Sequence, residues 1–289
     1  MKAVWKTFAC LLCATLLASC GSSLVYDRLD WLIPWYVDSY VDLSKEQRQT
    51  LREQLAPLLQ QHRQEELVRY LQLLDEIEAS LQSRVEQAQV GAWIERLQQA
   101  AERIEESMLR VGVEFGATIS EAQMEEFVAS LYLRQTELEE ELLERSDEEY
   151  AKENTKHLQD LMERIIGRLE YGQKQRLQQA AGAVQRFDAV WLQDRRLWLD
   201  QLKLLLQRES GWQERLLRTY RDRERNRSAE YLAIVSHNKQ VVAASIAEVL
   251  NNRNSKQREH THQEFEELRS MLKKLIANPP IDPETGTDA

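Results

Sequence analysis

What most constrains this chain is where its helix breakers fall. After Pro34 and Pro57 no proline occurs until Pro279, Pro280 and Pro283, and the stretch between is rich in Gln, Glu, Arg, Leu and Ala. These side chains lose little rotamer freedom in a helix, so the composition favours helix throughout and offers few internal stops. Sustained alternation of β-branched and polar residues between tight turns is missing, so no strand is expected. The sequence predicts an all-α protein, an elongated bundle of about seven long helices.

Capping chemistry places some of the helix starts. Leu43-Ser44-Lys45-Glu46-Gln47 and Ile119-Ser120-Glu121-Ala122-Gln123 each put a serine at an N-cap and a glutamine three residues on, the spacing at which the two side chains satisfy orphan backbone N–H groups reciprocally. Leu169-Glu170-Tyr171-Gly172-Gln173 is a degraded third copy. Gly91, Gly112 with Gly116, Gly167 with Gly172, Gly211 and the polar cluster from Asn251 to Ser255 supply further punctuation. Residues 44–277 read as the helical body, either one long antiparallel bundle or two lobes joined near residues 112–120. A continuous helix from Ser44 to Gln87 would extend roughly 65 Å, with Pro57 bending it near its first turns. Residues 278–289, with three prolines, read as a disordered tail.

Periodicity is clearest between Phe187 and Leu206. Phe187, Val190, Trp191, Leu197, Trp198, Leu202 and Leu205 recur at helical spacing, and Leu192, Leu199 and Leu206 form a second seven-residue stripe beside them. Such a helix is either central and covered on two sides, or leaves one stripe open to a partner, and side-chain exposure separates the two.

The first residues set the compartment. Lys2 and Lys6 flank a short apolar run that ends in Leu17-Ala18-Ser19-Cys20-Gly21, the order of a bacterial lipoprotein signal. The run is interrupted by Lys6 and falls short of the ~20 apolar residues of a spanning helix. Residues 1–19 therefore read as a cleaved signal peptide, Cys20 as the lipidated residue, and residues 20–43 as an aromatic-rich tether. Gly21 stands where inner-membrane retention usually places Asp, so by resemblance to bacterial lipoproteins the anchor sorts to the outer membrane and the body faces the periplasm. Cys10 and Cys13 leave with the signal, so no free thiol remains for a disulfide or a thiolate metal site. Loss of Lys2 and Lys6 takes the formal charge from -10 to -12, which argues against non-specific nucleic-acid binding.

Two resemblances follow from these residues. The cysteine followed by Leu24-Val25-Tyr26-Asp27-Arg28-Leu29-Asp30-Trp31-Leu32, then Trp35-Tyr36-Val37-Asp38 and Val41-Asp42-Leu43, resembles a family of helical gamma-proteobacterial lipoproteins classed only as a domain of unknown function. That implies an all-helical envelope lipoprotein and assigns no functional residue. The capping segments at 43–47, 119–123 and 169–173 also resemble the L-T-x-x-Q motif of the Spy and CpxP type periplasmic stress proteins, although a capping box explains the same residues in any helical protein.

Candidate contact residues fall in three groups. Trp31, Trp35 and Tyr36 follow the anchor closely and suit a membrane interface, while the interleaved Asp27, Asp30, Asp38 and Asp42 favour the alternative, a cover over the helical body. The segment 215–227 gathers Arg215, Arg218, Arg221, Arg223 and Arg225 near Tyr220 and Tyr231. Solvated helix faces are the ordinary account of such a block, and a patch gripping carboxylates or phosphates is the alternative. Trp191 and Trp198 mark the apolar helix as a second partner-binding candidate. Residues 137–153 form a complementary acidic block.

Catalytic signals are few. There is no Gly-x-Ser-x-Gly elbow, His-Glu-x-x-His pair or phosphate-cradling glycine loop, and no enzyme or cofactor is expected. Glu259, His262 and Glu266 share a helix face at a spacing able to hold a divalent ion, with surface charge the stronger reading. The expected function is therefore contact: an outer-membrane-anchored periplasmic lipoprotein that binds envelope proteins, chaperone-like or stress-related in character. The alternative is a scaffold that spaces partners without processing clients.

Overall fold

The computed structural model describes residues 25–277; the signal sequence, Cys20 and the proline-rich tail lie outside the described residues. Ten helices and no strand occur among the described residues. They are α1 (Leu29–Asp38), α2 (Lys45–Gln61 and Leu67–Ser80 on either side of a π-helical turn at His62–Glu66), α3 (Gln87–Gly116), α4 (Glu121–Leu143), α5 (Asp147–Ile166), α6 (Tyr171–Ala183), α7 (Asp188–Leu205), α8 (Trp212–Arg221), α9 (Ala229–Asn251) and α10 (Ser255–Ala277).

Seven helices was an undercount, for reasons of local chemistry. Ser146 and Ser228 are N-caps whose hydroxyls accept from the N–H groups of Glu149 and Tyr231 at 3.2 and 3.0 Å, so they start α5 and α9 inside stretches that read as continuous. The interruptions expected at Gly91 and Gly112 disappear instead, and the helix expected to bend at Pro57 departs from α-helical register only at the π turn that follows. Gly91 and Gly112 sit within α3, and the α2 rod passes through Pro57. Where glycine is required, the backbone says why. Gly167 ends α5 at φ 76°, and a Cβ there would meet the His260 ring at 3.1 Å.

The expected capping boxes at Ser44 and Ser120 are both formed. The residue before each cap is apolar and buried, Leu43 at 2% exposure and Ile119 at 7%, so the cap fixes the helix start while its neighbour seats it in the core. Each box glutamine also reaches a second helix. Gln47 Nε2 donates to Gln123 Oε1 at 2.9 Å and Gln123 Nε2 donates back at 2.8 Å, joining the N-terminal ends of α2 and α4. Gln173 and Gln257 repeat the exchange at 3.1 and 2.8 Å between α6 and α10. These are amide clasps: each Oε1 accepts from its own cap residue's N–H and from the opposite side chain, so four polar groups are satisfied at once.

The apolar core among the described residues forms two large clusters and a small third one of Tyr40, Leu131 and Leu199. The first collects Leu55, Leu67, Val113, Phe115, Met124, Trp212, Leu216 and Leu275. The second collects Val85, Val90, Trp93, Met162, Ile166, Leu177 and Val249. Ile77, Leu81 and Ile165 border both, so the second half of α2 is shared. Val111, Phe115, Ile119 and Met124 keep residues on both sides of the 112–120 turn in the first cluster.

Candidate functional site

The N-terminal segment is built against the π turn of α2. A π turn adds one residue to the helical register, and it turns His62, Arg63 and Glu66 inward together, each under a tenth exposed. Each has a partner from another element. The Tyr26 hydroxyl lies 2.9 Å from His62 Nδ1, Arg63 Nη2 donates to Asp27 Oδ1 at 3.0 Å, and the Arg103 guanidinium makes two 2.8 Å bonds to Glu66. Burial pushes His62 down to about 4, which keeps the imidazole neutral at ordinary pH. Burial would raise the Glu66 carboxyl, but its bonds to Arg103 and Arg69 outweigh this and hold it below the usual range.

This anchorage divides the five aromatics of the segment. Tyr26 and Tyr40 are buried, and Tyr36 turns inward, its hydroxyl 2.6 Å from that of Tyr40, in a cluster with Leu131 and Leu199. Trp31 and Trp35 face outward at 48% and 62% exposure and stack with ring planes 10° apart. Cover therefore describes the tyrosines and not the tryptophans.

The arginine segment does not converge on one anion site. Arg215 donates to the Ser210 carbonyl at 2.6 Å, Arg218 pairs with Glu214, Arg221 with Glu106 on α3, and Arg225 with Asp222. Arg223 lies flat over the Tyr220 ring at 3.6 Å and pairs with Glu105, to which the Tyr220 hydroxyl also donates. A cleft of about 360 Å³ opens here, lined by residues including Gln99, Arg103, Glu106, Tyr220 and Arg221. Its guanidiniums and carboxylates already satisfy one another, and the bond from Arg221 helps to hold Glu106 ionised. The acidic block pairs elsewhere, Glu139 with Arg196 and Glu153 with Arg145.

Helix α7 packs against α4, α8 and α9, so the expected cover on more than one side is present, yet part of its apolar girth stays open. Leu192, Leu199 and Leu206 are buried, as a core stripe should be. Trp191 and Trp198 are half-buried, and Trp198 meets Tyr220 edge-on at 6.1 Å, which links the two partner-binding candidates. Leu197 and Leu204, one heptad apart, stand 58% and 65% exposed.

The acidic face of α10 acquires a partner the sequence did not show. Glu78 of α2 joins His262 and Glu266, with the ligand atoms within 4.8 Å of one another, while Glu259 accepts from Gln263. The Arg269 guanidinium donates to Glu78, Glu266 and Asp75, so one cation is already shared among these carboxylates. The ordinary surface-charge account fits this better than a metal site.

Two features escaped the sequence reading. Asn254-x-x-Gln257 has the cap and N3 spacing of the other boxes and was legible by the same rule. His62, Arg63 and Glu66 had no local signal, because their partners lie far along the chain, 37 residues for Arg103 and 36 for Tyr26 and Asp27.

Together these features define an all-helical protein tied at its helix ends by side-chain amides and across its surface by internal ion pairs, with no helix among the described residues long and apolar enough to cross a membrane. The chain belongs to a family of unknown function, DUF6279, whose sequence signature matches residues 39–232. No curated protein and no solved structure matches it, and the likeness of the capping segments to Spy and CpxP stays with the capping chemistry itself.

Proposed function

We propose that this protein is a lipid-anchored, periplasm-facing module of the outer membrane that binds an envelope protein through the exposed stripe of α7. The observation that carries the reading is the contrast along one helix: Leu192, Leu199 and Leu206 are in the core, whereas Leu197 and Leu204 face solvent at heptad spacing, the register a partner helix reads. The arginine segment is the weaker candidate, because its charges are spent on Glu105, Glu106, Glu214 and Asp222. Lipidation at Cys20 is supported by the Leu-Ala-Ser-Cys order that precedes the body.

Two roles are compatible with such a surface, and they separate in a simple pair of assays. A chaperone-like protein delays aggregation of unfolded envelope proteins at near-equal concentrations. A scaffold fails that assay and crosslinks in cells to one defined partner. Separate exposed leucines suit the scaffold better, since a holdase needs a broad apolar surface. Photocrosslinking groups at Leu197 and Leu204 should give a discrete adduct, and the reading fails if both positions give none.

A further inference from the structure

The exposed face of α1 is unlike the rest of the surface. Leu29, Ile33 and Pro34 are buried on one side, Trp31 and Trp35 are exposed on another, and Val25 and Arg28, in the turn that leads into the helix, are exposed as well. The two tryptophans stack on each other with ring centroids 6.4 Å apart. Two of the four acidic residues of the segment are held within the fold, Asp27 by Arg63 and Asp38 by Arg48 at 2.9 Å and by the Leu43 N–H it accepts, whereas Asp30 stays half-exposed and Asp42 exposed. Beside them, Trp31, Trp35 and Arg28 present two indoles and a guanidinium, the pairing that suits the level of lipid headgroups, with apolar rings toward the acyl chains and a cation toward phosphate.

We infer that the surface made by Trp31 and Trp35 of α1, with Val25 and Arg28 just before the helix, lies in the lipid headgroup region and holds the helical body in a fixed orientation on the membrane. This rests on the lipid-anchor reading in one respect: Cys20 precedes Val25 by five residues, and that length of chain spans at most roughly 18 Å. An anchored Cys20 therefore keeps α1 beside the bilayer. The residues just before α1 are fixed to the π turn, Tyr26 at His62 and Asp27 at Arg63, so a helix seated in the interface sets the angle of the α2 rod.

The test reconstitutes the full protein, purified from membranes, into phosphatidylethanolamine and phosphatidylglycerol vesicles with brominated acyl chains. Tryptophan emission is compared with that in unbrominated vesicles, and mass spectrometry of the same sample reports acylation at Cys20. Trp31 and Trp35 are two of the six tryptophans that follow Cys20, so native emission should fall by about a third, and W31F/W35F, with unchanged circular dichroism, should show almost no fall. Equal quenching in the native chain and W31F/W35F, or none in either, overturns the inference. Quenching confined to the native chain in an unacylated sample supports the docking face and overturns the lipid anchor. An acylated sample without quenching supports the anchor and overturns the docking face.

Discussion

Gln173 and Gln257 exchange side-chain amides in the interior, at 5% and 3% exposure, and each also donates to a carbonyl just before the other's helix, Asn252 and Arg168 respectively. Removing one amide strands the other in a place water does not reach. Q257A should cost about 2 kcal/mol in urea unfolding, and the double variant Q173A/Q257A less than the sum of the single changes, because a buried unsatisfied amide costs more than a lost pair. The Gln47–Gln123 clasp is half exposed, so Q123A should cost roughly 1 kcal/mol or less.

Helix α7 offers a sharper contrast between neighbours. Leu199 is 4% exposed and Leu197 is 58% exposed. L199A should lower stability by about 2–5 kcal/mol through lost burial and the cavity left behind, whereas L197A should change it by no more than about 0.5 kcal/mol. Equal effects would mean that the two stripes are equally buried.

How much of this was readable beforehand depends on the range of the interaction. The boxes at Ser44 and Ser120 are local, each closed within four residues, and formed as expected. Ser146 and Ser228 obey the same chemistry and passed unread, which produced the low helix count. Periodicity marked α7 as apolar over much of its girth but held no information on which stripe its neighbours cover. The π turn was beyond sequence altogether: a polar triplet amid leucines is stabilised because Tyr26 and Asp27 arrive from the segment before α1 and Arg103 from α3.

The π turn also predicts a pH dependence. His62 takes up a proton near pH 6.5 when unfolded and only near pH 4 when folded. Between these values the unfolded chain binds more protons, so stability rises with pH in that window and falls as pH drops through it, by roughly 3 kcal/mol in total, with no contribution above it. Urea midpoints measured from pH 7 down to pH 5 should decline for the native chain. H62N, which keeps an acceptor for Tyr26 without a proton to gain, should lose most of that slope; an unchanged slope would place the effect in other groups.

Within the arginine segment, side chains of similar sequence context should differ widely. The Arg225 side chain is 84% exposed and paired with Asp222 on its own turn, while Arg223 is 19% exposed between Tyr220 and Glu105. R225A should change stability by no more than about 0.5 kcal/mol, and R223A should cost about 2 kcal/mol by uncovering Tyr220 and leaving Glu105 short of a partner. Thermal unfolding of both variants decides whether the segment is structural.

The central claim is that α7 meets an envelope protein through Leu197 and Leu204. The direct measurement is in-cell photocrosslinking from position 204, with Leu143, an exposed leucine on α4, as the control position. A discrete adduct from position 204 that disappears in an L197D background and is absent at position 143 is the predicted result. No adduct at 204, or the same adducts from 143 and from 204 regardless of L197D, would contradict it.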